Sequence, residues 1–182
     1  MGSFFSQSLD FLPSSLELIH VNNIPNPNYL NNLPSNLKKL YIGSKYPKLN
    51  SNELMKINYL PNNIEELKIS FANITLCNIP KKLKKLSIDC FSIKIIKLLT
   101  NSFVEKLKID LIDDESMSII DSIQEINLPL SIKTIHIYTN PDIHKVIDLK
   151  ILNKIKGIDL DDYDISNRYL FQFIIEKKGI EI

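Results

Sequence analysis

Residues 33–42 read Leu33-Pro34-Ser35-Asn36-Leu37-Lys38-Lys39-Leu40-Tyr41-Ile42, and the pattern they set, Leu-Pro-x-x-Leu-x-x-Leu-x-Ile, returns along the chain. Upstream it is Leu12 to Val21, with Leu16, Ile19 and Val21 at the same steps. Downstream it is Leu60 to Ile69, Ile79 to Ile88 and Leu128 to Ile137. Three further copies lack the proline: Thr100 to Ile109, Ile151 to Leu160 and Phe173 to Ile182. The last third of the phrase alternates with period two, which is a short strand with one buried face. The aliphatic residue three steps earlier turns inward ahead of the strand. Proline at the second step fixes φ and donates no hydrogen bond, so it belongs to the bend leading in. Neighbouring copies pair as parallel strands, and the residues between copies return the chain on the far side.

The copies start at residues 12, 33, 60, 79, 100, 128, 151 and 173, on average 23 apart. That interval lies within the roughly 20–29 residues of leucine-rich repeats. The expected fold is therefore α/β: a curved solenoid of about eight parallel strands on its concave face, with short helices or extended segments on the convex face. Residues 12–182 supply the repeats and residues 1–11 an N-terminal cap, in one domain spanning 1–182. Helical returns are expected at Ser51 to Leu54 and onward, with Leu54 and Ile57 inward, and at Ser92 to Leu99. Others are expected at 113–123, where Asp113-Asp114-Glu115 forms an acidic first turn, at 143–149, and at Ser166 to Lys177. The return from Ser70 to Asn78 is short and should be extended. Phe4, Phe5, Leu9 and Phe11 read as a hydrophobic lid over the first repeat, and Met1-Gly2-Ser3 also fits a myristoylation pattern.

The phrase, most fully matched by Leu33 to Gly43, resembles the FNIP-type leucine-rich repeats of social amoebae and amoebal giant viruses. The resemblance covers residues 12 to 182. It departs at the Phe-Asn-x-Pro element that names the family, which is absent here, with Asn23-Ile24-Pro25 and Tyr46-Pro47 as distant echoes. Family members often carry an F-box-like segment ahead of the repeats, so the resemblance implies one alternative role, the substrate-recognition part of a ubiquitin ligase. Where many leucine-rich repeats place asparagine after the strand, this chain has Ile24, Ala72, Phe91, Ile112 and Tyr163, with Asn140 conforming. Those turns should be filled by apolar packing. Abundant isoleucine, asparagine and lysine, whose codons are AT-rich, suit the genome of an amoeba or of a large virus of amoebae.

Composition narrows function by exclusion. The formal net charge is +1, which argues against nucleic acid as the main partner. Four glycines offer no phosphate-cradling loop. No run of 18 apolar residues suggests a membrane span, and no secretory leader precedes the first repeat. Cys77 and Cys90 form no terminal cluster of the extracellular kind, so both read as free thiols in a reducing compartment. An intracellular location is expected, in the cytoplasm, or the host cytoplasm for a viral protein.

Positions seven, nine and eleven of each phrase point out of the concave sheet. They nominate a partner-binding face of Lys39, Tyr41, Lys68, Lys85, Lys106, Lys108, His136, Tyr138, Asp159 and Asp161. Lys85 and Lys106 should be neighbours on adjacent strands, as should Asp89 and Asp110, and the face should turn acidic towards its C-terminal end. His20 and His136 fall five strands apart and cannot share a metal; Ser87 and His136 are two strands apart, too far for a nucleophile and its base. No catalytic residue, metal ligand or cofactor is nominated. The expected function is a protein-interaction scaffold that binds through its concave sheet. A self-associating structural protein is a further alternative, with a homodimer formed through the C-terminal repeat.

Overall fold

The computed structural model describes residues 9–22, 24, 27–43, 55–70, 74–88, 93–111, 125–139, 155–156, 163–167 and 172–178. In chain order the elements are β1 (Leu18–Asn22), a 3-10 turn (Pro27–Leu30), β2 (Lys39–Gly43), β3 (Met55–Ile57), β4 (Glu66–Ser70), β5 (Ile74–Leu76) and β6 (Lys85–Ile88). There follow α1 (Ile93–Leu99), β7 (Lys106–Leu111), β8 (Ile126–Asn127), β9 (Thr134–Thr139), β10 (Ile155–Lys156), β11 (Tyr163–Asn167) and β12 (Gln172–Lys177). The fold is a mainly parallel sheet with little helix.

Each phrase folds in the same way. The carbonyl of the proline accepts a hydrogen bond from the N–H three residues on, closing a turn: Leu16 to Pro13, Leu37 to Pro34, Ile64 to Pro61, Leu83 to Pro80 and Ile132 to Pro129, at 3.0–3.2 Å. That turn points the fifth-position aliphatic inward, and Leu37, Ile64, Leu83 and Ile132 are fully buried. In the Thr100 to Ile109 copy, which lacks the proline, the Ser102 hydroxyl accepts instead from the N–H of Val104, at 3.4 Å. The next carbonyl is shared by two N–H groups of the following copy: Glu17 O takes those of Lys38 and Lys39, both at 2.9 Å. Glu65 O takes those of Lys84 and Lys85, and Lys84 O those of Glu105 and Lys106. This fixes register before the strand proper begins.

The main sheet runs β1-β2-β4-β6-β7-β9-β12-β11. The first six strands pair in parallel with the phrases aligned step for step, so that Ile19, Leu40, Leu67, Leu86, Leu107 and Ile135 form one row. Val21, Ile42, Ile69, Ile88, Ile109 and Ile137 form the next row, and both rows are buried in a single hydrophobic core. Behind them the returns stack in the same order: the 3-10 turn against β3, β3 paired in parallel with β5, β5 against α1, α1 against β8, and β8 paired in parallel with β10. Their apolar residues Leu30, Ile57, Leu76, Ile95 and Leu99 close the core from that side.

Several expectations need correction. Among the described residues the main sheet pairs six strands in parallel, those of the first six phrases. Within the segment expected as a helix from Ser166 to Lys177, the described residues are the end of β11 and all of β12, which pair antiparallel with each other, and β12 pairs antiparallel with β9. Sequence periodicity favoured helix there, but the edge of β9 offers unpaired N–H and C=O groups, and an aromatic and β-branched run such as Phe173-Ile174-Ile175 satisfies them as a strand. Ile155, expected as the inward residue of a seventh repeat, lies instead in β10 on the return side, paired with Ile126. Ile158, Leu160, Ile180 and Ile182 lie outside the described residues.

The return containing Ile57 is strand rather than helix, because β5 supplies a parallel partner and the Ile57 carbonyl accepts the N–H of Cys77 at 3.0 Å. Two returns match expectation: α1 at 93–99, with Ile95 and Leu99 buried, and the extended stretch in 70–78 that contains β5. The expected helices at 113–123 and 143–149 lie outside the described residues. In the N-terminal lid, Leu9 is buried but Phe11 is 96% exposed, since the turn at 9–11 points it away from the first repeat. Residues 1–8, with Phe4, Phe5 and the Met1-Gly2-Ser3 start, lie outside the description.

Candidate partner-binding face

The face of the sheet opposite the core is built by the residues that alternate with the buried rows. Register fixes its columns. The seventh positions run Leu18, Lys39, Glu66, Lys85, Lys106, Thr134. The ninth run His20, Tyr41, Lys68, Ser87, Lys108, His136 over the same strands. Adjacent members of a column are about 4.8 Å apart. At the eleventh position Gly43 lies beside Asn22, and a Cβ on it would come within 2.7 Å of the Asn22 Oδ1, so the absent side chain makes room for the amide.

The structure therefore brings together eight of the ten nominated residues: Lys39, Tyr41, Lys68, Lys85, Lys106, Lys108, His136 and Tyr138. Asp159 and Asp161, and with them the acidic end of the face, lie outside the described residues, as does Asp89. A trough of about 450 Å³ runs across β4, β6 and β7. Lys68, Lys85, Lys106 and Lys108 line it, with Ser87 between them.

At its N-terminal side the trough is closed by a polar knot. The Tyr41 hydroxyl donates to Glu66 Oε1 at 2.8 Å, and that bond, followed by burial, holds the phenol above its ordinary pKa. Lys39 and Lys85 approach the other carboxylate oxygen at 3.9 and 4.0 Å. At the C-terminal side the Lys108 Nζ sits 4.3 Å from the centre of the Tyr138 ring, a cation–π contact. The His136 ring is tilted against Tyr138 at 6.4 Å, and His20 meets Tyr41 edge-on at 5.9 Å.

Lys85 and Lys106 do stand directly opposite each other, an arrangement of like charges that destabilises the sheet. Glu66 relieves it on one side only. Among the described residues, neither Lys68 nor Lys106 has a carboxylate within 4.0 Å. The Ser87 Oγ is closed off from solvent and has no hydrogen-bond partner.

Two features of the neighbouring rim went unread in the sequence. The sixth positions alternate in charge: Glu17, Lys38, Glu65, Lys84, Glu105, Lys133. Two of these contacts are tight, Lys38 Nζ to Glu17 at 2.6 Å and Lys133 Nζ to Glu105 at 2.8 Å. The Lys133 hydrogen bond is the main cause of a lowered Glu105 pKa, and the Glu17 hydrogen bond that of a raised Lys38 pKa. At the fourth position, amides reach back one repeat: Asn36 Nδ2 donates to Ser14 O at 3.1 Å and Asn63 Nδ2 to Ser35 O at 2.7 Å. Aligning the phrases and reading down each column, rather than along each copy, exposes both.

Beyond the sheet face, the described residues hold no group of three or more His, Cys, Asp or Glu placed to bind a metal. Ser87 and His136 are separated by β7 in the sheet order, and Cys77 is free and exposed. No described helix is long and apolar enough to cross a membrane. Ile24, in the turn after β1, is buried, as apolar filling of that turn requires. Compared with protein-family models, curated proteins and solved structures, the chain matches none of them.

Proposed function

We propose that the chain is a leucine-rich-repeat solenoid of the kind its phrase resembles, and that it acts inside a eukaryotic or virus-infected cell as a non-catalytic scaffold, binding a protein partner across the concave face of its sheet. The observation that supports this reading is the trough on β4, β6 and β7. There the columns of the sheet place two opposed lysines and a shielded, unpartnered hydroxyl, an arrangement that costs the free chain stability. A partner of complementary charge offsets that cost.

The test is quantitative affinity enrichment from amoebal lysate with the native chain, a Lys68→Glu/Lys106→Glu variant and a rim variant, Lys81→Glu/Lys82→Glu. Proteins retained by the native and rim forms and lost by the concave variant support the reading. An identical set from all three overturns it.

Self-association is a second reading, favoured by one observation: β11 ends the sheet, with β12 as its only strand neighbour among the described residues. Sedimentation at micromolar concentration decides it, since a monomer there removes the homodimer. The role in a ubiquitin ligase rests on the resemblance alone.

A further inference from the structure

We infer that the trough is a socket for one phosphorylated side chain, presented by an extended segment of the protein partner. The inference rests on the concave-face reading and sharpens it to a ligand chemistry. Ser87 is the smallest residue in its column, flanked in register by Lys68 on β4 and Lys108 on β7. Lys85 lies two residues back on the same strand, about 7 Å along it, and Lys106 is the cross-strand partner of Lys85. The four-carbon stem of each lysine spans those distances. Lys68 and Lys106 have no carboxylate within 4.0 Å among the described residues, while Lys85 and Lys108 join them over the hydroxyl by leaving Glu66 and the Tyr138 ring.

Charge decides the class of ligand. The whole chain carries only +1, so this concentration of cations is local and not a by-product of a basic protein. Among the described residues lining the trough, Glu66 is the one carboxylate, and it is shared by the Tyr41 hydroxyl, Lys39 and Lys85. A nucleic acid needs a basic stripe that follows successive phosphates; here the cations cluster on three adjacent strands around a hollow of about 450 Å³.

A peptide carboxylate brings one charge and two oxygens. A phosphate monoester brings close to two charges and three strong acceptor oxygens, which suits several convergent ammonium groups. The Ser87 hydroxyl is screened from solvent in the free chain, so a phosphate oxygen accepts its proton only once the side chains around it move aside, and that contact completes the bond the free chain lacks. Tyr41 lines the trough at its N-terminal side, where its ring can pack against a residue next to the phosphate.

The experiment uses the full chain and three pools of fluorescent nonapeptides, degenerate except for a central phosphoserine, serine or glutamate, read by anisotropy at physiological salt. The phosphoserine pool should bind at least tenfold more tightly than the other two. Lys68→Ala and Lys106→Ala should each weaken it about tenfold, and Ser87→Val, which removes the hydroxyl but suits a strand, should weaken it as well. Lys82→Ala, outside the trough, should leave it unchanged. Circular dichroism confirms that each variant is folded, and the three substitutions in the trough act independently on the outcome.

Equal binding of all pools overturns the proposal, as does a phosphoserine preference that survives Lys68→Ala and Lys106→Ala. A glutamate pool as tight as phosphoserine, lost in Lys106→Ala, overturns the phosphate assignment and leaves the concave-face reading standing. Inorganic phosphate competing at the same concentration as the phosphopeptide overturns the peptide source. If no pool binds while lysate partners still depend on the concave face, only the socket fails; if they do not, the scaffold reading fails with it.

Discussion

Leu86 shows what a single position does. It lies at the centre of the first buried row, 1% exposed, with Leu67 and Leu107 in register on either side. A repeat cannot bury its own apolar face, so each such residue is covered by its neighbours and cannot be compensated locally. Leu86→Ala should cost about 2–5 kcal/mol, measured as a lowered midpoint of urea unfolding with the slope unchanged. On the opposite face, the Tyr41 phenol donates to the Glu66 carboxylate, and its pKa is raised chiefly by that bond. A group with a raised folded pKa contributes stability below its unfolded value, and that contribution is lost as pH rises through the folded value. In a spectrophotometric titration Tyr41 should therefore ionise above the ordinary tyrosine range, and Glu66→Gln should bring it back towards that range. An unchanged titration in a Glu66→Ala variant, which has no acceptor, would show that burial, not the bond, holds the proton.

Elements divide into those the phrase specifies and those that tertiary context decides. The Glu105–Lys133 contact joins β7 to β9 just ahead of the strands. Because Lys133 lowers the folded pKa of Glu105, the pair contributes above the ordinary glutamate range and loses its contribution as pH falls through the lowered value. Lys133→Met should thus cost about 0.5 kcal/mol near neutrality, a figure already reduced for solvent screening, and chemical denaturation should show the difference closing in acid. The β12 strand is the opposite case. Ile175→Pro removes an N–H from a strand paired on both sides, with Ile135 and Ile165. It should destabilise the fold by at least about 1 kcal/mol, and hydrogen exchange should show β9 losing protection before β4 or β6. Six strands, their register and their buried rows were legible because Leu-x-Ile recurs behind a proline turn that closes on its own. The pairing of β11 with β12 was not, because Gln172 to Lys177 suits a helix when read alone and becomes strand only once β9 presents an edge. The lysine columns of the binding face were legible from the same alignment. Glu66 as the acceptor for Tyr41, and the unpaired state of the Ser87 hydroxyl, required the neighbouring strands to be seen in place.

At the scale of the whole sheet, among the described residues, each strand is hydrogen-bonded only to the strand before and the strand after it in the order β1-β2-β4-β6-β7-β9-β12-β11. Interior strands are sealed on both sides, while β1 has a neighbour on one side and its Ile19 and Val21 are less completely buried than Leu40 and Ile42 of β2. Hydrogen exchange should therefore slow from both ends towards the centre, with the amides of β4, β6 and β7 most protected and those of β1 and β11 least. Uniform protection along the sheet would contradict this picture of pairwise stacking. The charges on the rim add a rule of heredity. Along Glu17, Lys38, Glu65, Lys84, Glu105 and Lys133 the sign changes at every step, so the repeating unit of the rim is two phrases long although the unit of the fold is one. Duplication or loss of a single repeat would set like against like at the junction, whereas adding or removing a pair preserves every contact. A lineage of such chains should lengthen and shorten by even numbers.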